Sequence, residues 1–235
     1  MEQEEFDEIL RKHKLWLNDE EGGEQADLSN KDLCGVNLSS ASLSRANLSF
    51  AILRGVDMQG ADLSEANLSG ADLRCVNLNG AKLYKAKLTD ANLRNASLSK
   101  VSMDYANLRW ADLCNTNLYQ ANMSASDLRN ADLRSADMRY VSLLGSDMTL
   151  ANMKGANLCQ ANLSHVYLIG ANLCLADLTN ADLSVANLRS ADLHGAYLCR
   201  ADLRCADLRG AKMNRQDMDL AALAKEQRDS IIICE

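Results

Sequence analysis

The chain has 235 residues, a net charge of −7 at neutral pH, no proline and only 4% aromatic residues. No apolar run approaches the about 20 residues that a membrane-spanning helix needs, so we expect no contact with a membrane. The N-terminus lacks the basic start and apolar core of a signal peptide, and eight cysteines without such a signal predict free thiols in a reducing cytoplasm.

Residues 1–25 predict an amphipathic helix that caps the structure that follows. Between residues 3 and 17, apolar side chains and one histidine form a single stripe with spacings of i, i+3, i+4, i+7 and i+11. The stripe consists of Phe6, Ile9, Leu10, His13 and Leu17. Gly22 and Gly23 end this segment. We expect His13 to belong to the packing of the cap and not to a catalytic site.

A repeat of five residues follows. From Leu28 to Met218 every fifth residue is Leu or Met, which makes 39 consecutive units over residues 26–220. The position two before each central Leu or Met is Ala in 28 units, and Asp or Asn directly precedes the centre in 29. In an extended segment residues two apart point to the same side, so the Ala and the centre point inward together. On a helix, successive centres would lie on every side. The pattern therefore predicts short extended faces joined by corners, an all-β solenoid.

The motif A-[D/N]-[L/M]-x-x resembles that of the pentapeptide-repeat family over all 39 units. The resemblance implies a right-handed quadrilateral β-helix with four units in each coil of 20 residues, so that the chain would form about 9.75 coils. At a spacing of about 4.8 Å per coil, the rod would be roughly 47 Å long. Arg54, Arg74 and Arg94 recur at intervals of 20, as stacked columns would require. The segment 9–17 is similar to a leader of some bacterial members.

Residues 221–235 predict a second cap. Asp219 to Asp229 can form a short helix, and the apolar stretch from Ile231 to Cys234 can form a strand. The end of a solenoid is an exposed sheet edge, which invites association. This strand either covers the last coil or pairs with a second subunit. We therefore expect a monomer or a homodimer formed through the C-terminal cap.

Catalytic and cofactor-binding motifs are absent from the sequence. It contains no G-x-S-x-G, P-loop or G-x-G-x-x-G pattern. The cysteines form no C-x-x-C pair and have no zinc-site spacing. The regular recurrence of Asp before the centres indicates a structural role for these carboxylates. We expect no enzyme, no cofactor and no metal site, and we expect the free thiols to be exposed or half-exposed.

The distribution of charge along the chain indicates which class of partner the protein binds. The repeat holds 20 acidic and 20 basic residues, whereas the first 25 residues carry a net charge of −6. Some family members inhibit or protect DNA gyrase through a rod that imitates DNA, and such a rod needs a negative surface. The balanced repeat, without the loop insertions of the quinolone-resistance members, favours a non-catalytic rod that binds an unknown protein partner or acts as a scaffold. A DNA-imitating binder of gyrase is the alternative, and nucleic acid is disfavoured as a partner.

The candidate interaction residues lie at outward positions. Basic residues recur in one column, and large apolar residues occur on one face and its corners, where a contiguous patch would mark an interaction site. The basic candidates are Arg54, Arg74, Arg94, Arg134 and Lys154. The apolar candidates are Tyr105, Trp110, Leu150 and Ile169. The alternative is that the arginines pair with neighbouring columns of Asp and are fully solvated.

Overall fold

A computed structural model describes residues 1–214, 225–230 and 232–233. Helix α1 spans Gln3–Leu17, strand β1 Lys212–Met213, helix α2 Lys225–Arg228 and strand β2 Ile232–Ile233. Between α1 and β1, where every residue is described, the chain forms isolated parallel bridges instead of longer strands. The unit centred on Met218, residues 219–224 of the predicted C-terminal helix, and Ile231 and Cys234 of the predicted strand lie outside the described residues.

The bridges join residues 20 positions apart throughout residues 27–212. Main-chain hydrogen bonds run in both directions at each bridge. The Leu28 N–H donates to the Asn47 carbonyl at 2.7 Å, and the Asn47 N–H donates to the Ala26 carbonyl at 2.9 Å. Each coil therefore contains four units, and residues 20 apart stack in columns along the rod. Because each coil bonds to the coils before and after it, the stability of the rod is a sum of terms between neighbouring coils.

The unit centres and the small residues two before them fill the interior. Every described centre, from Leu28 to Met213, is at most 4% exposed. Three hydroxyl residues replace Ala in this layer, namely Thr116, Ser126 and Ser146, and each donates a hydrogen bond to the carbonyl of the centre three residues earlier. The inner hydroxyl groups are thus satisfied by the carbonyls of the preceding units, and the groups that a partner can reach lie on the outside.

A turn follows each centre. The first N–H of the next unit donates to the carbonyl of the centre, as from Ala46 to Leu43 at 3.0 Å. The residue before that N–H has a φ between 55° and 84° in every unit from Asn30 to Gly210. A positive φ at this third position is the requirement of a type II turn. The corners therefore place one left-handed residue in every unit.

The Asp and Asn residues before the centres stabilise these turns. Each one between residues 27 and 207 accepts a hydrogen bond at Oδ1 from the N–H two residues later. Ser29 to Asp27 (3.1 Å) and Ser184 to Asp182 (2.9 Å) are examples. Asp and Asn have side chains of the right length for this local bond, which explains why they are enriched at that position.

Val185 is a β-branched residue at one of these left-handed corners, with a φ of 60° and a side chain that is 49% exposed. The left-handed conformation costs a residue with a Cβ roughly 1–2 kcal/mol, whereas Asn tolerates it. We expect Val185→Asn to raise the free energy of unfolding by about 1 kcal/mol, measured as a higher urea midpoint. Val185→Ile keeps the branching and should leave the midpoint unchanged. A lower midpoint for the Asn variant would show that the corner is not strained.

Helix α1 packs on the first coil. Phe6 and His13 are buried, and Ile9 and Leu10 are partly buried against the core. The His13 ring accepts a hydrogen bond at Nδ1 from the Ala26 N–H (3.0 Å), so its Nε2 carries the proton and donates to the Ser44 carbonyl (3.0 Å). His13 therefore joins the cap to the start of the rod through both ring nitrogens.

The pH dependence of stability should report this role of His13. Burial, and to a smaller extent the nearby Arg45, lower the pKa of His13 below its ordinary value of 6.5. Below about pH 6.5 the unfolded chain binds a proton that the folded chain does not, so stability is complete above that pH and decreases as the pH falls. The slope reaches about 1.4 kcal/mol per pH unit.

Urea unfolding at pH 7.5 and 5.5 measures this loss. The His13→Gln variant should be less stable at pH 7.5 and should lose less on acidification than the wild type. His165 and His194 are exposed, so their Gln variants should lose as much as the wild type. An equal loss in the wild type and in His13→Gln would assign the pH dependence to other groups.

The C-terminal segment continues the ladder of the last coil. Strand β2 pairs with β1 in parallel, with Lys212 opposite Ile232, again 20 positions apart. The Gln227 side chain in α2 donates to the Leu203 carbonyl at 2.8 Å and to the Ala206 carbonyl at 3.2 Å. The described part of the C-terminal segment therefore extends the column of bridges beyond the last coil.

Candidate interaction surfaces

Each unit presents two residues on its outer face, one before the centre and one after it. In six units an Asp before the centre faces an Arg after it, and the guanidinium donates through both Nε and Nη2 to that carboxylate. The pairs are Asp72–Arg74, Asp127–Arg129, Asp132–Arg134, Asp137–Arg139, Asp202–Arg204 and Asp207–Arg209. The hydrogen bond from Arg139 holds the pKa of Asp137 below its usual range. These arginines are therefore neutralised within their own units.

Five other cations that directly follow a centre have no acid in their own unit. They are Arg54, Arg94, Arg109, Lys154 and Arg189. Arg54 donates from Nε to Asp72 of the next coil at 2.5 Å, and Arg94 donates from Nη1 to Asp112 at 3.1 Å. No ion pair joins the other three to any residue in the described part of the chain. The sequence distinguishes the two groups. The paired arginines occur in the motif D-[L/M]-R, whereas the other five cations occur in N-L-R, I-L-R or N-M-K.

The predicted basic column is therefore not uniform. Arg54, Arg74 and Arg94 lie on three successive coils and line a shallow groove of about 490 Å³, together with Gly55, Cys75 and Asn95 of the adjacent corner. We call this the arginine groove. Arg134 lies outside it in a closed pair with Asp132. Lys154, one coil further, donates only its main-chain N–H, to Asn152.

The predicted apolar residues differ in exposure. Tyr105, Trp110 and Leu150 are more than half exposed, and Ile169 is half-buried. Tyr105 contacts Tyr84 edge-on, with ring centroids 5.8 Å apart. Leu150 lies beside Ile169, whose carbonyl accepts its N–H at 2.9 Å. Further exposed apolar side chains occur on other faces, namely Ile52, Tyr140, Leu175 and Tyr197.

The cysteines and histidines form no reactive cluster in the described part of the chain. No group of three or more His, Cys, Asp or Glu side chains could hold a metal ion there. Cys34, Cys75, Cys199 and Cys205 are exposed, but Cys114 is buried, which corrects the expectation that the thiols are exposed or half-exposed. Cys114 lies between Arg94 and Arg134 in its column, and long side chains on both sides screen it. Burial also raises the pKa of the Cys159 thiol to about 11.

Neither of the two described helices has the length and apolar character of a membrane-spanning segment.

Comparisons with known proteins agree with this geometry. A family model described as pentapeptide repeats matches the chain in eight copies, which together run from residue 24 to residue 215. The crystal structure of HetL, a pentapeptide repeat protein involved in the regulation of heterocyst differentiation in the cyanobacterium Nostoc sp. strain PCC 7120, is 35% identical. That match covers 85% of this chain and 94% of HetL, with a TM-score of 0.60.

A second solved structure shares the fold at a lower identity. QnrB1, a plasmid-mediated fluoroquinolone resistance protein, is 17% identical over 84% of this chain and 95% of QnrB1, with a TM-score of 0.52. At that identity the likeness extends to the fold alone. No curated protein matches the sequence of this chain.

Proposed function

Because this chain belongs to the pentapeptide-repeat family, we propose that it is a right-handed quadrilateral β-helix that binds a protein partner along its outer surface, without catalysis, in the cytoplasm. The filled interior supports this proposal. The described centres are at most 4% exposed, so the space inside the coils is occupied by side chains and not by a substrate. Solenoids of this kind use their extended outer surfaces for binding.

The similarity to HetL supports a regulatory role for that binding. HetL is involved in the regulation of a differentiation process, and the match covers 94% of its chain. A rod whose polar and charged side chains lie on its outer surface regulates another protein by binding to a surface of that protein. The function carried over to this chain is therefore regulation through protein binding, with its own outer residues selecting the partner.

Affinity purification with the intact chain as bait tests this proposal. HetL is the matched control bait, because it is similar in fold and only 35% identical in sequence. We expect one protein from the source cells to co-purify in stoichiometric amounts with this chain and not with HetL. Retention of the same proteins by both baits, or of none, would overturn the proposal.

A DNA-imitating binder of gyrase is the less favoured function. Such a rod needs a continuous negative face, and six of the outward Asp residues are closed into pairs with arginines of their own units. A supercoiling assay with purified gyrase, with and without a fluoroquinolone, separates the two functions. We expect no effect. Inhibition or drug protection at low micromolar protein would favour the DNA-imitating function instead.

A further inference from the structure

We propose that the arginine groove binds an acidic segment of the partner protein, through carboxylates that its guanidinium groups hold directly. This inference rests on the proposed function and names the chemistry of the contact. Five other outward arginines, by contrast, are each paired with an Asp of their own unit and do not line the arginine groove.

The first argument is the uncompensated charge. Asp72 accepts hydrogen bonds from both Arg54 and Arg74, so one carboxylate serves two guanidinium groups. None of the residues that line the groove is acidic. The outward residues before the centres of the Arg54 and Arg94 units are Ile52 and Asn92, which carry no charge. Three guanidinium groups therefore share two carboxylates, Asp72 and Asp112, which leaves an excess of one positive charge at this groove.

The second argument is the number of free donors. Arg54 uses only Nε and Arg94 only Nη1 in bonds to the described residues, whereas each arginine of a D-[L/M]-R unit uses Nε and Nη2 on one carboxylate. The remaining guanidinium nitrogens of Arg54 and Arg94 can donate to an incoming ligand. Guanidinium groups bind carboxylates with paired, charge-assisted hydrogen bonds, which are the strongest that side chains form.

The length of the groove favours a short acidic segment over nucleic acid. Coils are spaced by about 4.8 Å, so three coils place the arginines within about 10 Å, the length of three or four extended residues. The positive stretch ends there, because the next residue of the column, Cys114, is buried and Arg134 is paired with Asp132. A duplex needs a longer track of phosphate contacts than these three coils offer.

Fluorescence anisotropy of a labelled hexaglutamate peptide with the full chain tests this site. The groove variant is Arg54→Gln with Arg94→Gln, which leaves Asp72 paired with Arg74 and so should retain the wild-type melting temperature. The control variant is Arg139→Gln with Arg209→Gln, which changes the net charge equally at two closed pairs. We expect the groove variant to weaken peptide binding at least about tenfold and the control less than about twofold.

Each other outcome is informative. An equal loss in both variants, or no binding at low salt, would overturn the groove as a site for acidic segments. Displacement of the peptide by a short DNA duplex at a similar concentration would assign the groove to nucleic acid instead. A failure here together with a specific partner in the purification would reject the groove while the proposed function stands. Failure of the purification alone would reject the function.

Discussion

Replacing Leu128 with Asp is expected to unfold the rod. Leu128 is completely buried, and its column neighbours Leu108 and Met148 are buried as fully, so the carboxylate would have apolar layers on both sides. An isolated charge in such a place costs well above about 4 kcal/mol, beyond the range of ordinary point substitutions. Because coils stabilise only their neighbours, a break at mid-rod also removes the support of the coils on each side. Loss of the folded circular dichroism signal at 25 °C measures the effect.

Asn130→Asp is the matched control, since it introduces the same side chain two residues away in the same unit. Asn130 is at an outward corner with a φ of 60°, a conformation that Asp tolerates. We expect its urea midpoint to stay close to that of the wild type. Equal tolerance of Asp at both positions would mean that the centres do not point inward.

Gly23→Ala should detach the N-terminal cap. After α1 the chain doubles back along the helix, and the Glu24 N–H donates to the Lys12 carbonyl at 3.1 Å. A Cβ on Gly23 would overlap the Trp16 main-chain nitrogen, and only backbone movement can relieve that overlap. The cost should exceed about 3 kcal/mol, the upper end for overpacked sites. Hydrogen exchange should show lost protection in α1 and the first coil, with the middle coils still protected.

Gly22→Ala is the control for this position. Gly22 has a φ of 78° and open space where a Cβ would be, so the change costs only the strain of a left-handed alanine, about 1 kcal/mol. We expect α1 to keep its protection in this variant. An equal loss of protection in both variants would mean that the cap is detached by backbone strain in the linker, and not by the close approach of residue 23 to the helix.

The five-residue period allowed the family and the interior to be predicted from sequence. Leu or Met recurs at every centre without a change of frame, and each described centre is buried. This succeeded because an inward position accepts only an apolar side chain of suitable size, so each unit repeats the same information. The family assignment is confirmed by the matching of residues 24–215.

The arginine pairs were only partly predictable. The sequence indicated that outward arginines either form a basic stripe or pair with Asp columns. The motif D-[L/M]-R identifies the closed pairs, because residues two apart in one extended unit face the same side. For Arg54 and Arg94, however, the acids lie 18 residues away, in the next coil. Whether an arginine side chain reaches an acid in the next coil depends on how the coils stack, and not on the sequence of its own unit.

The sequence by itself determined which side chains point inward and where each turn falls, because both depend on contacts within five residues. Tertiary structure alone decided that the C-terminal strand pairs with its own last coil, that His13 bonds to Ala26 and Ser44, and that Cys114 is buried. Each of these depends on groups from different coils or caps. Contacts between groups so far apart in the chain leave no local pattern in the sequence, because only the stacking of the coils brings these groups together.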